Sequence, residues 1–293
     1  MSQKEDELRG AVLMLGAASS FAAFSILVKL IGPLIPIFQI AFFRGVVAFV
    51  MLAGFLLARG QGIPSGVNRK DLLFRSLLGF GGLMTYVYAI NHIDLGLAAA
   101  LNQSSPIFVA VFAFLILHER TGWAVAGFAV VGFCGAALVV SPDLSTIDLN
   151  ASVGLLSAVL SGLAYVWVRK LRITDRPETI VLYFSGTVAL LSLPVALWQG
   201  WVWPSWWQFG GLLGLGIFSL SGQLCLTWSY RLGSASLVSP LLYVSVLISM
   251  VVGFVVWREW PDTSALIGAG LLIVSSVAIG WIAGHRRAAE TTT

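Results

Sequence analysis

The chain has 293 residues, of which 58% are hydrophobic and 10% charged, with a formal net charge of +4. Soluble domains carry roughly 25% charged residues, so this chain cannot coat a water-facing globule and is read as an integral membrane protein. Its Lys and Arg residues fall in loops, as set out below, so the positive balance does not argue for a nucleic-acid partner.

A helix needs about 20 apolar residues to span the hydrocarbon core. Ten such segments follow one another. The first five run Leu8–Ile31, Ile35–Ala58, Leu72–Asn91, Leu95–Leu117 and Gly122–Ser141. The second five run Ala151–Leu171, Glu178–Trp198, Trp207–Arg231, Ala235–Trp257 and Thr263–Gly284. Ahead of the first, the acidic stretch Ser2 to Glu7 gives no cleavable signal. Arg44 is the one charge clearly inside a segment, roughly 13 Å from its outer end at ~1.5 Å per residue. The third segment holds Gly79, Gly81 and Gly82, and only Asn91, His92 and Asp94 divide it from the fourth. Pro106 and Pro240 interrupt the fourth and ninth segments, each freeing a carbonyl and permitting a bend. Both are read as hinge or gating positions. Cys134 and Cys225 lie within apolar segments and read as packing residues. Val125 in the fifth segment is taken to face lipid.

The chain also reads twice. An offset of 141 maps Lys29 to Lys170, Pro36 to Pro177, Phe43 to Phe184 and Gly45 to Gly186; an offset of 140 maps Gly82 to Gly222 and Glu119 to Glu259. Residues 8–141 and 151–284 are therefore two copies of one unit. Five crossings per copy force the second to face the opposite way, as in transporters built from inverted repeats. With the N-terminus inside, fourteen of the seventeen Lys and Arg fall on the inner side, among them Arg59, Arg69, Lys70, Arg75 and Lys170. That asymmetry places both termini in the cytoplasm. The Trp-rich stretch 198–207 lies outside and suits an interfacial belt.

No zinc spacing, phosphate loop or Ser nucleophile with a partner His is present, so neither an enzyme nor a cofactor or metal is expected. No carboxylate lies near mid-segment, which favours facilitated exchange or weak proton coupling over tight ion symport. What lies at depth is uncharged polar and aromatic. Phe24 pairs by the repeat with Tyr165, Gln103 with Tyr243, and Leu83 with Gln223, with Tyr86 about one turn beyond Leu83. Phe24, Tyr86, Gln103, Tyr165, Gln223 and Tyr243 are therefore expected to line one central cavity. Each polar member has the alternative of bonding a neighbouring helix. Arg44 either snorkels outward or binds an anionic substrate group.

Ten crossings in two inverted copies carry Phe43-Arg44-Gly45, the run from Pro106 to His118-Glu119-Arg120, and its counterpart ending Trp257-Arg258-Glu259. Together they resemble the drug/metabolite transporter superfamily in its EamA-like ten-helix branch. The resemblance implies a basket of helices one to four and six to nine, with five and ten outside it. It implies secondary transport by alternating access across a bacterial inner membrane, with a small-molecule substrate and surrounding lipid as the only partners. The substrates it implies are exported metabolites: amino acids, aromatic ones included, and toxic organic cations. A passive channel and a sugar or nucleotide-sugar carrier remain alternatives, and the oligomeric state is left open. His118 and Arg258 stand where that family has Gly, so these loops receive no role by resemblance.

Overall fold

The computed structural model describes residues 3–117, 123–140, 147–171, 174–232 and 239–290. In order they form α1 (Gln3–Ile31), α2 (Ile37–Ala58), α3 (Arg69–His92), α4 (Leu95–Asn102), α5 (Ser105–Leu117), α6 (Trp123–Val140), α7 (Leu149–Leu171), α8 (Pro177–Trp198) and α9 (Trp206–Leu232). A 3₁₀ turn (Ser239–Tyr243), α10 (Val244–Val252) and a π turn (Gly253–Trp257) make the ninth crossing, and α11 (Thr263–Glu290) the tenth. All regular structure among the described residues is helical. Lipid offers backbone groups no partner, and a helix satisfies its own. Eight spans are long and apolar enough to cross a membrane, and two shorter apolar helices, Leu241–Trp257 and Thr263–Ile279, complete the set.

Boundaries follow local chemistry. Pro36 precedes α2 and Pro177 opens α8, where a missing N–H costs nothing. The chain leaves α2 through Gly60 at φ 68°, a left-handed position that suits glycine. The fourth crossing was expected as one interrupted helix; it is two, parted at Gln103 and Ser104. Pro106 is the second residue of α5, so it starts the new helix rather than kinking an old one. Pro240 occupies the second place of the 3₁₀ turn. His118, Glu119 and Arg120 lie outside the described residues.

Packing joins the two halves of the chain. α1 lies on α9, α3 on α7, α2 on α8, and α6 on α11. Exchanging the halves sends α1–α9 to α7–α3 and α2–α9 to α8–α3, while α2–α8 and α6–α11 map onto themselves. Glycine sets the closest approaches. A Cβ at Gly135 of α6 would stand 2.7 Å from the Gly268 carbonyl oxygen of α11, and one at Gly268 would stand 2.6 Å from the Gly135 carbonyl. Such backbone contact is how helices associate where apolar burial gives no net drive. Val125, read from sequence as lipid-facing, is 6% exposed. It shares the face of Ala129, Gly132, Ala136 and Val139, all buried, at helical spacing. Cys134 and Cys225 are free thiols.

Candidate functional site

A cavity of about 110 Å³ lies within the bundle. Its wall is built by α1, α2, α3, α4, α7, α8, α9 and the broken ninth crossing; among the described residues α5, α6 and α11 contribute none to the lining. On α3 the lining positions are Arg75, Gly79, Gly82, Leu83 and Tyr86, spaced i, i+4, i+7, i+8 and i+11, so one helix face looks inward. Ser161, Ala164 and Tyr165 do the same on α7. Gly82 permits the approach of these two helices: a Cβ there would stand 2.9 Å from Ser161 Oγ.

Much of the polar lining is tied in place. Ser25 Oγ lies 2.8 Å from Tyr86 OH and donates its single proton to the Phe21 carbonyl, so Tyr86 is the donor of that pair. Gln103 Nε2 donates to Ser245 Oγ at 3.1 Å, and Asn102 Nδ2 to Ser157 Oγ at 3.0 Å. These bonds stitch α1 to α3, the fourth crossing to the ninth, and α4 to α7.

Two arginines share the cavity. Arg44 of α2 and Arg75 of α3 are 6% and 5% exposed. Phe184 of α8 lies under both guanidinium groups, with ring-centroid distances of 5.1 Å to Arg44 and 4.4 Å to Arg75. Phe24 lies 5.4 Å from the Arg44 guanidinium. Gly79, one turn beyond Arg75, makes room for this shelf: a Cβ there would stand 2.9 Å from the Phe184 ring. Among the described residues the lining contains no Asp or Glu. Arg44 Nε, Arg75 Nε and Arg75 Nη1 are buried with no hydrogen-bond partner among the described residues.

The structure thus brings Phe24, Arg44, Tyr86, Gln103, Tyr165 and Gln223 to one cavity wall. Tyr243 stands behind it. Tyr243 is 8% exposed within an apolar cluster, and its hydroxyl donates to the Gln103 carbonyl at 2.9 Å. It buttresses the turn that breaks the fourth crossing. Pro106 and Pro240 flank the two breaks, and Pro106 is not among the lining residues. Sequence reasoning missed Arg75, which it counted among the inner-side charges because it follows Arg69, Lys70 and Asp71. α3 begins at Arg69, so Arg75 already lies more than a turn inside. The legible signal was its spacing to Tyr86, which puts both on one helix face. Phe184 had been noticed only as the repeat mate of Phe43.

At the end of the bundle where α1 stops, a compact charged cluster closes over the helices. Lys29 Nζ pairs with Glu259 Oε1 and donates to the Ile93 carbonyl at 2.8 Å. Glu259 Oε2 accepts from Leu95 N at 2.7 Å. Arg258, just before it, adopts the left-handed backbone at φ 59°. Beside them Asp94 is pushed above the usual carboxylate range, first by burial, then by the Glu259 charge, with Lys29 opposing. On the same side Gln39 is fully buried and clasps Val202 by two bonds, Nε2 to O and Oε1 from N. Trp201 packs edge-on against Phe42, while Trp198, Trp203 and Trp206 stand exposed. At the opposite end Asp71 holds Lys170 at 2.9 Å and Trp167 Nε1 at 3.2 Å.

Comparison with known proteins places this geometry. The model of the EamA-like transporter family matches residues 8–141 and again residues 149–281. A protein named as a pseudopaline exporter in Pseudomonas aeruginosa is 34% identical over 283 residues, covering 94% of this chain and 97% of that one. A protein named as an S-adenosylmethionine uptake transporter in Rickettsia conorii is 26% identical, covering 89% and 88%. A solved crystal structure superposes with a TM-score of 0.67 over 96% of this chain and 99% of its own, at 19% identity, a likeness that shows the fold alone.

Proposed function

This chain belongs to the EamA-like transporter family, and we propose that it exports small amino-acid-like metabolites across a bacterial inner membrane by alternating access. The observation that carries this reading is the cavity itself. It is built by helices from both halves of the chain and lined by aromatic faces and by polar groups. The halves, residues 8–141 and 151–284, act as two inverted domains whose rocking exposes the cavity to one side and then the other. Both termini lie in the cytoplasm. Pro106 and Pro240 mark the broken crossings as the places where the wall bends. Phe24 packs the apolar part of the solute, and Tyr86, Gln103, Tyr165 and Gln223 orient its polar ends. A cavity with two arginines and no carboxylate among its described lining residues repels a bare cation, so toxic organic cations fall outside this reading. The same lack of a carboxylate supports exchange without tight ion coupling. The 34%-identical relative named as an exporter supports the direction.

The test is counterflow. Purified protein in liposomes loaded with unlabelled amino acid should accumulate labelled amino acid transiently, with saturation. Flux that is linear in concentration and indifferent to solute on the far side would make the protein a channel. Impermeant labelling of a cysteine at Ser205 but not at Gln61, in intact cells, checks the orientation.

A further inference from the structure

We propose that Arg44 and Arg75, seated on Phe184, form an anion subsite that receives the carboxylate of the transported solute. This deepens the transport reading above and rests on it for the word "transported". The binding claim stands on its own geometry.

Two guanidinium groups with no ion-pair partner among the described residues are costly within a membrane bundle, and positions of this kind are kept where they face a cavity or a partner. Here both face the cavity, and no acidic side chain among the described residues lines it to neutralise them. A purely structural arginine ends on carbonyls or carboxylates. These leave Arg44 Nε, Arg75 Nε and Arg75 Nη1 bare. Both guanidinium groups rest against aromatic rings, which accept no N–H hydrogen bond of carbonyl strength and leave donor capacity for a ligand. Phe184 lies under both, and Phe24 under Arg44. A guanidinium whose face rests on an aromatic ring keeps its in-plane N–H fork free, and that fork matches the two oxygens of a carboxylate. Stacking also fixes the forks before the ligand arrives, which reduces the ordering cost of binding. The cavity is roomy enough to hold water in the empty state, since a site of about 110 Å³ exceeds the ~15 Å³ that one water needs. A carboxylate would displace that water and bring the missing counter-charge.

The two arginines come from α2 and α3, and their shelf from α8. Binding at this point would therefore pull together helices of both halves of the chain. Tyr86, Gln103 and Gln223 remain to meet the rest of the solute, such as an amino group, for which the lining offers oxygen acceptors but no charge.

The experiment measures ligand-induced shifts in melting temperature of the purified full-length protein in detergent. The probes are phenylalanine, methionine and glutamate, each beside its α-carboxamide. Acids should stabilise the wild type, and amides should do so only at concentrations roughly ten- to a hundredfold higher, the loss expected for a hydrogen-bonded charge pair. Arg44→Gln and Arg75→Gln should each weaken the acids by a similar factor and leave the amides nearly unchanged. Arg59→Gln, a change outside the cavity, should leave all probes as in the wild type. Equal response to acids and amides, or no response to any acid, overturns the proposal. So does an Arg44→Gln or Arg75→Gln protein that binds acids like the wild type. Should the glutamine variants fail to fold, Arg44→Lys and Arg75→Lys keep the charge but lose the fork, and acid affinity undiminished in both would count against the subsite. Acid binding without counterflow in liposomes would sink the transport reading and leave the subsite standing.

Discussion

Breaking the Lys29–Glu259 pair is the sharpest test of how the helices are held at the end of the bundle where α1 stops. The side chains are 13% and 12% exposed. Exposed pairs contribute about 0–1 kcal/mol, whereas removing one member of a buried pair costs about 3–5 kcal/mol because the other charge is stranded. This pair is mostly buried, and each member holds one further bond, Lys29 to the Ile93 carbonyl and Glu259 to the Leu95 amide. The lysine stem can still reach toward water, so the expected cost of Lys29→Met lies at the lower end, about 3 kcal/mol. Glu259→Gln should cost less, because the amide oxygen still accepts from Leu95 N. In the double variant no charge is stranded, so its loss should fall short of the summed singles by about 0.5–3 kcal/mol. Thermal unfolding in detergent measures all three. In liposomes the singles should change the saturating exchange rate more than the half-saturation concentration, since neither residue lines the cavity. Additive losses, or singles indistinguishable from wild type, would refute the reasoning.

Gly135→Ala or Gly268→Ala forces a Cβ to within 2.7 Å or 2.6 Å of a carbonyl oxygen and should destabilise by about 1–3 kcal/mol. Gly127→Ala, with nothing within 4 Å, should be neutral or gain up to about 1 kcal/mol of helix propensity; equal melting temperatures for the three would overturn the close-packed α6–α11 contact. Asp94 has its carboxyl raised in the fold by burial and by Glu259, so its contribution is fully present below the ordinary Asp range near ~4 and is lost as pH rises through the raised value. Asp94→Asn should therefore flatten the fall in melting temperature across that window, and a pH profile that matches wild type would show that Asp94 does not carry it.

The number and order of crossings were legible because composition and length leave little else for such apolar runs to do. The wall of the cavity was partly legible because mates under the 140–141 offset must approach a common axis. That logic found Phe24 with Tyr165, and Gln103 with its neighbour across the break. It could not separate a residue that lines the cavity from one that supports the lining. Tyr243 matches Gln103 in the repeat, yet its hydroxyl turns to the Gln103 backbone. Arg75 escaped for the opposite reason. Its counterparts at the two offsets, Leu215 and Gly216, are apolar, so no symmetry argument could point to it. The subsite is the part of the cavity where the two halves differ, and a search for sameness cannot find it.

The breaks in the fourth and ninth crossings explain why polar groups can meet at this depth. Non-helical backbone is tolerated inside a membrane only where protein or a cavity serves its freed groups. Here those groups are served. Ser104 Oγ and Ser104 N both donate to the Leu101 carbonyl, and Tyr243 OH donates to the Gln103 carbonyl. Across the cavity Ser245 Oγ donates to the Leu242 carbonyl while accepting from Gln103 Nε2. The two breaks are thus bonded to each other, one half of the chain supplying partners for the other. A turn held this way is stable in one arrangement yet has few bonds to exchange in moving to another. It also carries Asn102 and Gln103 to the wall without placing a charge in lipid. The breaks thus supply Asn102, Gln103, Ser245 and Ser249 to the neutral polar lining, and among the described residues the two arginines are the charges the cavity presents to a solute.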